Sequence, residues 1–198
     1  MRLAALFCAT LLAAGSILAG EIREFDLKTI ERLGNELTRV SQQPDRGATT
    51  PQRKRAKQAA MAALKGKLYD VHYDYVVLDD PDGSGFLVYA LGSTGRPRDY
   101  VLAGHFRVTV SADGSKAERV DALSKSLAIQ PGGENIPVGS HLAGMTMVQI
   151  VSSKPLETLI YTSNLARMPI YVATVPPGRM SEVANGKSTD TGKNAGKK

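Results

Sequence analysis

Histidine and aspartate are the residues of this chain with the most specific chemistry. Asp70, His72 and Asp74 alternate in a stretch rich in valine and tyrosine, so a strand would place all three on one side. An imidazole between two carboxylates could hold a metal ion. No second histidine lies nearby in sequence, and an ordinary polar strand face accounts for the same residues. We favour the polar face and predict no metal site and no cofactor.

The acidic stretch Asp79-Asp80-Pro81-Asp82-Gly83 offers carboxylates for calcium binding or for acid/base catalysis. It lacks the ligand spacing and the closing glutamate of an EF-hand loop. Pro-Asp-Gly is also strong turn chemistry, because proline presets one backbone angle and glycine accepts a positive φ. We therefore predict a turn with solvated carboxylates.

Nucleophilic catalysis has little support in the sequence. Ser84 and Ser140 both follow a glycine, but neither lies in the Gly-x-Ser-x-Gly pattern of a nucleophile elbow. Phosphate-binding, dinucleotide-binding and zinc-protease motifs are also missing from the sequence. The alternative function is a hydrolase or metal-dependent enzyme that uses His72, His105 or His141. Nothing in the spacing of these histidines forces them together, so we predict no catalytic residue and no enzyme activity.

Residues 1–20 follow the plan of a secretory signal peptide, with one early arginine, an apolar core and small residues near the end. An uncleaved membrane anchor is the alternative, but the apolar run is short for a span. Cys8 is the only cysteine, and Phe7 stands before it where a lipoprotein signal would have a small residue. We predict cleavage near Ala19, a mature chain without disulfides, and a periplasmic or secreted location.

The charge balance bears on the partner. The chain has 25 basic and 19 acidic residues and a net charge of +6, and the predicted cleavage removes only Arg2 from this balance. An exported protein of mild positive charge meets anionic lipids, polysaccharides or acidic proteins before it meets nucleic acid. We predict an unidentified protein or an anionic envelope component as partner, no nucleic acid, and no stable membrane span after cleavage. The sequence leaves the oligomeric state open.

Two amphipathic helices are predicted first. Phe25 to Gln42 has apolar residues at helical spacing and Asp26 as N-cap, and its apolar face belongs on a sheet or on a partner. The second helix begins at Thr50-Pro51 and runs to about Lys67. Its basic face is either an anionic docking surface or an ordinary solvated face, and we favour the latter. The basic residues of that face are Arg53, Lys54, Arg55, Lys57, Lys65 and Lys67.

A long hairpin is predicted from residues 100–112 and 117–129, joined by a three-residue loop with Gly114 in a left-handed conformation. Its register follows from keeping apolar residues opposite one another, because a slip by one residue exposes them all. The pairs so predicted are Phe106 with Ala122, Val108 with Val120, and Arg107 with Asp121. This register assigns Phe106 and Val108 to the core, and His105 and Arg107 to the solvent side.

The remaining pattern predicts strands at 69–78, 85–91 and 145–151, and a last hairpin from 157–163 and 170–175. Gln130 to Ser140 is a loop rich in glycine and proline. The residues 181–198 are polar and basic, and we predict a disordered tail. The predicted fold class is α+β: a single domain over 21–180 with two N-terminal helices followed by an antiparallel sheet of about six or seven strands.

Short motifs along the mature chain are Phe25-Asp-Leu-Lys, Glu31-Arg-Leu-Gly34, Leu78-Asp-Asp-Pro-Asp-Gly83, Gly85-Phe-Leu-Val-Tyr-Ala-Leu91, Gly104-His-Phe-Arg-Val-Thr-Val-Ser-Ala-Asp-Gly114 and Pro169-Ile-Tyr-Val-Ala-Thr174. In these motifs the chain resembles a family of uncharacterised exported proteins of proteobacteria. It departs from them at Leu127, where a cysteine is common, and at Ser181, near a common tryptophan. The resemblance implies export and the strands, and it brings no activity and no site residues.

These observations lead to one prediction of function. The chain is predicted to be an exported, non-catalytic envelope protein that acts as a binding or structural module for an unidentified macromolecular partner. The basic helix face and the loop 130–140 are both open as the part that binds.

Overall fold

The computed structural model describes residues 21–132 and 142–194. The predicted signal peptide, residues 133–140 of the predicted loop, and His141 lie outside the described residues. Within the described residues the helices are α1 Leu27–Ser41, α2 Pro51–Ala63 and α3 Glu157–Ala166. The strands are β1 His72–Asp79, β2 Phe86–Ser93, β3 Tyr100–Ala103, β4 Phe106–Val110, β5 Ala117–Ala122, β6 Ala128–Gln130, β7 Met145–Gln149, β8 Ile170–Thr174, β9 Arg179–Ala184 and β10 Lys187–Asn194.

The strands form three sheets. The first has the order β1-β2-β4-β5, the second β10-β9-β8-β7, and the third is the pair β3-β6. Every pairing except β7 with β8 is antiparallel. The α+β class and the mostly antiparallel strands are confirmed. The prediction of one sheet of six or seven strands is wrong, because the described part of the chain divides ten strands among three sheets.

The two larger sheets and the helices stack in four layers. Helix α2 packs on one face of the first sheet, where Ala56, Ala60 and Leu64 join Val88 and Val108 in one apolar cluster. Helices α1 and α3 fill the space between the other face of the first sheet and the inner face of the second, in a separate cluster. The first sheet is therefore covered on both faces.

Coverage of both faces overturns one prediction about β4. Phe106 and Val108 are in the core as expected, but His105 is 2% exposed and Arg107 is 0% exposed. The sequence alternates apolar and polar residues here, which is typical of a strand with one wet face. Arg107 faces α3 rather than water because a second helical layer lies on that side of the sheet.

The predicted hairpin register is confirmed at its three named pairs, Phe106 with Ala122, Arg107 with Asp121 and Val108 with Val120. A register shift follows Thr109, so Val110 pairs with Ala117 and the turn is longer than three residues. Gly114 has the expected positive φ of 76°. The predicted strand 100–112 is interrupted at Gly104, whose φ is 109°, so β3 and β6 leave the first sheet as a separate pair.

The two predicted helices are present with their caps. The Asp26 carboxylate accepts a hydrogen bond from the Thr29 N–H at 2.7 Å, and the Thr50 hydroxyl oxygen accepts one from the Arg53 N–H at 3.2 Å. Helix α2 ends at Ala63, earlier than predicted. The apolar spacing of this helix predicts Met61 on the buried face with Ala56, Ala60 and Leu64, but Met61 is exposed.

Residues 157–163 form α3 instead of the predicted strand. The N-cap, Leu156, makes no side-chain cap, so the sequence carries no start signal for this helix. Leu156, Leu159 and Ile160 bury against the layer that contains α1, and this packing outweighs the local alternation. Helix α3 connects β7 to the parallel strand β8, so the predicted last hairpin is a βαβ crossover.

The predicted disordered tail also differs from the structure, since β9 and β10 pair as a hairpin up to Asn194. Main-chain groups hold this hairpin on α1. The Ser188 N–H donates to the Glu31 carboxylate at 2.9 Å, and the Asn35 amide donates to the Gly186 carbonyl at 2.9 Å. Hydrogen bonding thus orders a polar segment that composition alone assigns to disorder. The last four residues lie outside the described residues.

Helices α1 and α3 approach closely at Gly34. A Cβ at this position would lie 2.3 Å from the Ile160 Cβ and 2.7 Å from the Glu157 carbonyl oxygen. Only glycine permits this contact. The contact sets the position of α3 and of Glu157 in its first turn.

Candidate functional site

The histidine sites predicted as an alternative do not come together among the described residues. His72 is exposed on β1, and its Nε2 lies 3.5 Å from the Asp74 carboxylate. The Asp74 carboxylate is already paired with Arg46 at 3.0 Å. No group of three or more histidine, cysteine, aspartate or glutamate side chains in the described part of the chain is arranged to hold a metal ion.

His105 is used by the fold. Its Nδ1 accepts a hydrogen bond from the Gly92 N–H at 3.0 Å, which leaves the proton on Nε2, 3.1 Å from the Val101 carbonyl oxygen. Burial lowers the pKa of His105 from 6.5 to about 4, although the bond to Val101 acts in the opposite direction. Both ring nitrogens are occupied by backbone groups, so this histidine has no free nitrogen for a metal or a substrate.

The acidic turn pairs with arginines. Two oxygens of Asp80 accept hydrogen bonds from Arg23 at 2.7 Å each, and Asp82 accepts one at 3.0 Å. Asp79 pairs with Arg53. Burial is the largest influence on the Asp80 carboxylate and disfavours its charge, but the hydrogen bonds from Arg23 and from the Asp82 N–H, with the charges of Arg23 and Arg107, together outweigh burial and lower the pKa of Asp80. The turn is confirmed, while the expectation of solvated carboxylates is wrong for Asp80, which is buried.

A buried charge cluster lies between β4 and α3. The Arg107 guanidinium donates from Nη1 to the Glu157 carboxylate at 2.6 Å and from Nη2 to the Asp121 carboxylate at 2.8 Å. The Tyr89 hydroxyl donates to the same Glu157 oxygen at 2.9 Å. Burial is the largest influence on Arg107 and opposes its charge, but Glu157, Tyr89 and Asp121 together outweigh it, so the pKa of Arg107 is raised. Burial and the Glu157 charge raise the pKa of Tyr89 well above its ordinary value.

The N-terminal residues complete this cluster. Arg107 also donates to the Arg23 carbonyl oxygen, and the Arg23 N–H lies 3.4 Å from the Asp121 carboxylate. The guanidinium carbons of Arg23 and Arg107 lie 4.9 Å and 4.7 Å from the centroid of the Phe25 ring, within cation–π range. The Arg107 and Glu157 side chains have no exposed surface, so the cluster stabilises the fold and does not present a site to a ligand.

An open edge is found on the second sheet at β7. Met145 and Gln149 bond through their main chains to the β8 side, at Pro169 and Val175. Because main-chain direction alternates along a strand, the N–H and C=O groups of 146, 148 and 150 point away from β8. Among the described residues, no strand pairs with β7 on that side.

The open edge borders an apolar groove of about 410 Å³. Across the groove from β7 lie β3 and the segment 123–128. Leu102, Leu123 and Met147 give the groove apolar walls. The described residues that line it include one charged side chain, Lys125, and no carboxylate.

The residues of the edge itself are exposed and neutral. Val148 is 63% exposed and Ile150 is 58% exposed, on the face of the second sheet that points away from α1 and α3. No charged residue and no proline occurs from Met145 to Val151. Proteins usually protect an edge strand with lysine, proline or a bulge, because unpaired main-chain groups recruit other strands. β7 has none of these features.

Sequence reasoning identified β7 as a strand but missed its edge position. The neutral, unprotected run from Met145 to Val151 is unusual for an edge and favours a strand paired on both sides, so the sequence carried no signal for the edge position. Arg107 and Glu157 also had no signal, since the two residues are far apart in sequence and each looks like a solvated charge. No helix among the described residues is long and apolar enough to cross a bilayer.

The chain was compared with models of protein families, with curated proteins and with solved structures, and no match was found in any of the three comparisons. The resemblance to exported proteobacterial proteins stays a prediction.

Proposed function

We propose that this chain is an exported, non-catalytic binding module of the cell envelope, which holds an extended segment of a partner protein against β7. The unprotected open edge of β7 beside an apolar groove carries the proposal. An extended peptide that adds a strand to a sheet edge gains main-chain hydrogen bonds, and its alternate side chains enter the neighbouring pocket.

The groove suggests the chemistry of the bound segment. Main-chain groups of Thr146, Val148 and Ile150 would pair with the incoming strand. Every second side chain of that strand would then lie over Leu102 and Met147, so these side chains should be apolar. Lys125 lines the groove, and none of the other lining residues is a carboxylate that could pair with it. This favours a bound segment with an acidic residue or a terminal carboxylate near Lys125.

A displayed library of random heptapeptides, selected on the mature protein, tests the proposal. The decisive variant is Val148→Pro, because the Val148 N–H points away from β8 and its loss removes a bond to the ligand but none to the sheet. Val148→Thr is the matched control, since it keeps both the N–H and the branched side chain. Selected peptides should alternate apolar residues, carry an acidic group, and bind Val148→Thr but not Val148→Pro.

Amide exchange measures the same contact. The amides of Thr146, Val148 and Ile150 should exchange quickly in the free protein and slowly with a selected peptide bound. Selected peptides that bind Val148→Pro as well as the unaltered protein, or that leave these amides unprotected, would show that β7 is not the binding edge.

A further inference from the structure

The net charge of this protein is concentrated in one segment. Residues 51–68 contain six of the 25 basic residues and none of the 19 acidic ones, so the other residues carry 19 of each sign. The segment comprises α2 and the turn that follows it. It covers the first sheet on the side opposite to the second sheet, so this charge lies at the far end of the layered structure from β7.

Two of these six cations are used by the fold. Arg53 donates to the carbonyl oxygens of Gly47 and Val77 and pairs with Asp79. Arg55 donates to the Asp113 carbonyl oxygen at 2.8 Å. The four lysines of the segment make no ion pair with any described residue.

The lysines and one apolar side chain share the outer stripe of α2. Lys54, Lys57 and Met61 lie at helical spacing, outside the buried face formed by Ala56 and Ala60, and Lys65 follows in the turn after the helix. The helical part of the stripe, from Lys54 to Met61, extends over roughly 10 Å along the helix axis. Met61 is 46% exposed and stands between lysines that precede and follow it, so the surface presents cations on either side of an apolar side chain.

We propose that this stripe docks on the surface of an anionic lipid bilayer. Lysines attract acidic headgroups, and an apolar side chain between them enters the boundary between headgroups and acyl chains. A duplex nucleic acid would satisfy the lysines but would place Met61 against phosphates, where it gains nothing. The site is separate from the β7 groove, and the proposal does not depend on the proposed function.

Vesicle sedimentation with the mature protein tests this proposal. The vesicles are phosphatidylcholine alone or phosphatidylcholine with one third phosphatidylglycerol, at low and at high salt. Binding is expected only to the anionic vesicles, and it should weaken strongly at high salt because counterions screen the headgroups. Each lysine near an anionic surface contributes roughly fivefold in affinity, so Lys54→Gln, Lys57→Gln and Lys65→Gln together should weaken binding about 100-fold.

A matched variant separates the stripe from net charge. Lys28→Gln, Arg96→Gln and Lys187→Gln remove the same charge from exposed positions outside the segment. This variant should bind vesicles within a few-fold of the unaltered protein. Equal losses in the two triple variants would overturn the proposal, because binding would then follow net charge alone.

Two further outcomes decide the kind of surface. Met61→Gln should weaken vesicle binding several-fold while the salt dependence stays the same, and no change would contradict insertion of this side chain. Tighter binding to a DNA duplex than to anionic vesicles at the same salt concentration, lost in the Lys54, Lys57 and Lys65 variant, would overturn the bilayer in favour of nucleic acid.

Discussion

Arg107 and Glu157 lie fifty residues apart in sequence and form an ion pair of 2.6 Å in which neither side chain has any exposed surface. The pair joins the first sheet to α3 across the middle of the molecule. Burial of two charges is costly, and the attraction between them offsets that cost only when the hydrogen bonds are complete. Asp121, Tyr89 and the Arg23 carbonyl supply further bonds, but the second oxygen of Glu157 has no hydrogen-bond partner among the described residues, so the offset is incomplete.

Arg107→Met should lower the free energy of unfolding by about 3–5 kcal/mol, because the buried Glu157 loses its facing cation and Asp121 keeps only the partly exposed Arg119. Phe106→Ala should also lower the free energy of unfolding by about 3–5 kcal/mol, because core packing is lost. Urea unfolding measures both changes. Arg119→Met is the control: the partly exposed Arg119 should contribute less than about 1 kcal/mol. If Arg107→Met costs no more than Arg119→Met, the buried pair does not hold the layers together.

His105 should make stability depend on pH in mildly acidic solution. In the unfolded chain this histidine binds a proton below about pH 6.5, whereas in the folded protein burial delays protonation to about pH 4. The unfolded state therefore binds more protons in this window, and stability falls as the pH falls from about 6.5 towards 4, by at most about 1.4 kcal/mol per pH unit.

The measurement for His105 is urea unfolding between pH 5 and 6.5, a range above the ordinary pKa values of carboxylates. His105→Gln should reduce the slope of stability against pH, whatever its effect on absolute stability. Parallel slopes for the unaltered protein and His105→Gln would mean that His105 titrates normally.

Gly34→Ala should destabilise the protein although alanine favours helices. The gain in helix propensity is about 1 kcal/mol, but the new Cβ would stand 2.3 Å from the Ile160 Cβ and 2.7 Å from a backbone oxygen. Overpacking of this kind typically costs about 1–3 kcal/mol, and the backbone atom leaves little room for relaxation. Thermal unfolding should show a lower melting temperature for Gly34→Ala. Lys28→Ala, a change at an exposed position of the same helix, should leave the melting temperature almost unchanged. A stabilised Gly34→Ala variant would contradict the close helix contact.

Arg23→Ala should lower the free energy of unfolding by about 1.5–3 kcal/mol, the usual range for hydrogen bonds to charged groups. The change removes both bonds to Asp80 and leaves that carboxylate buried. Arg32→Ala is the control, because Arg32 makes only a 3.7 Å surface pair with Glu36. Similar losses in the two variants would show that the pair between Arg23 and Asp80 does not stabilise the fold.

The signal peptide prediction gives a last expected outcome. Cleavage between about Gly15 and Gly20 would leave Arg23 and Phe25 on the mature chain, where both are needed for the cluster. Mass spectrometry of the exported protein should therefore show a chain that begins between about Ser16 and Glu21. An intact Met1, or a mature chain that begins after Arg23, would contradict this.

The sequence by itself determined the local elements whose signals are local. Asp26 and Thr50 marked the starts of α1 and α2, because a cap acts on the N–H groups of the next turn. The alternation around Phe106 and Val108 predicted β4 and its register with β5, since a one-residue slip would expose the apolar side chains. The polar strand face that carries His72 and the neutral run of β7 were also visible in the sequence.

Only the tertiary structure decided which faces are covered. Arg107 and His105 are polar residues on an alternating strand, and nothing near them in sequence shows that α3 and a second sheet lie over that side. Helix α3 has no cap signal, and its burial against α1 through Gly34 selects the helix. The edge position of β7 likewise depends on contacts between distant residues, and so does the folding of residues 179–194 into the β9–β10 hairpin. Burial and long-range hydrogen bonds are properties of the assembled layers, so local periodicity does not encode them.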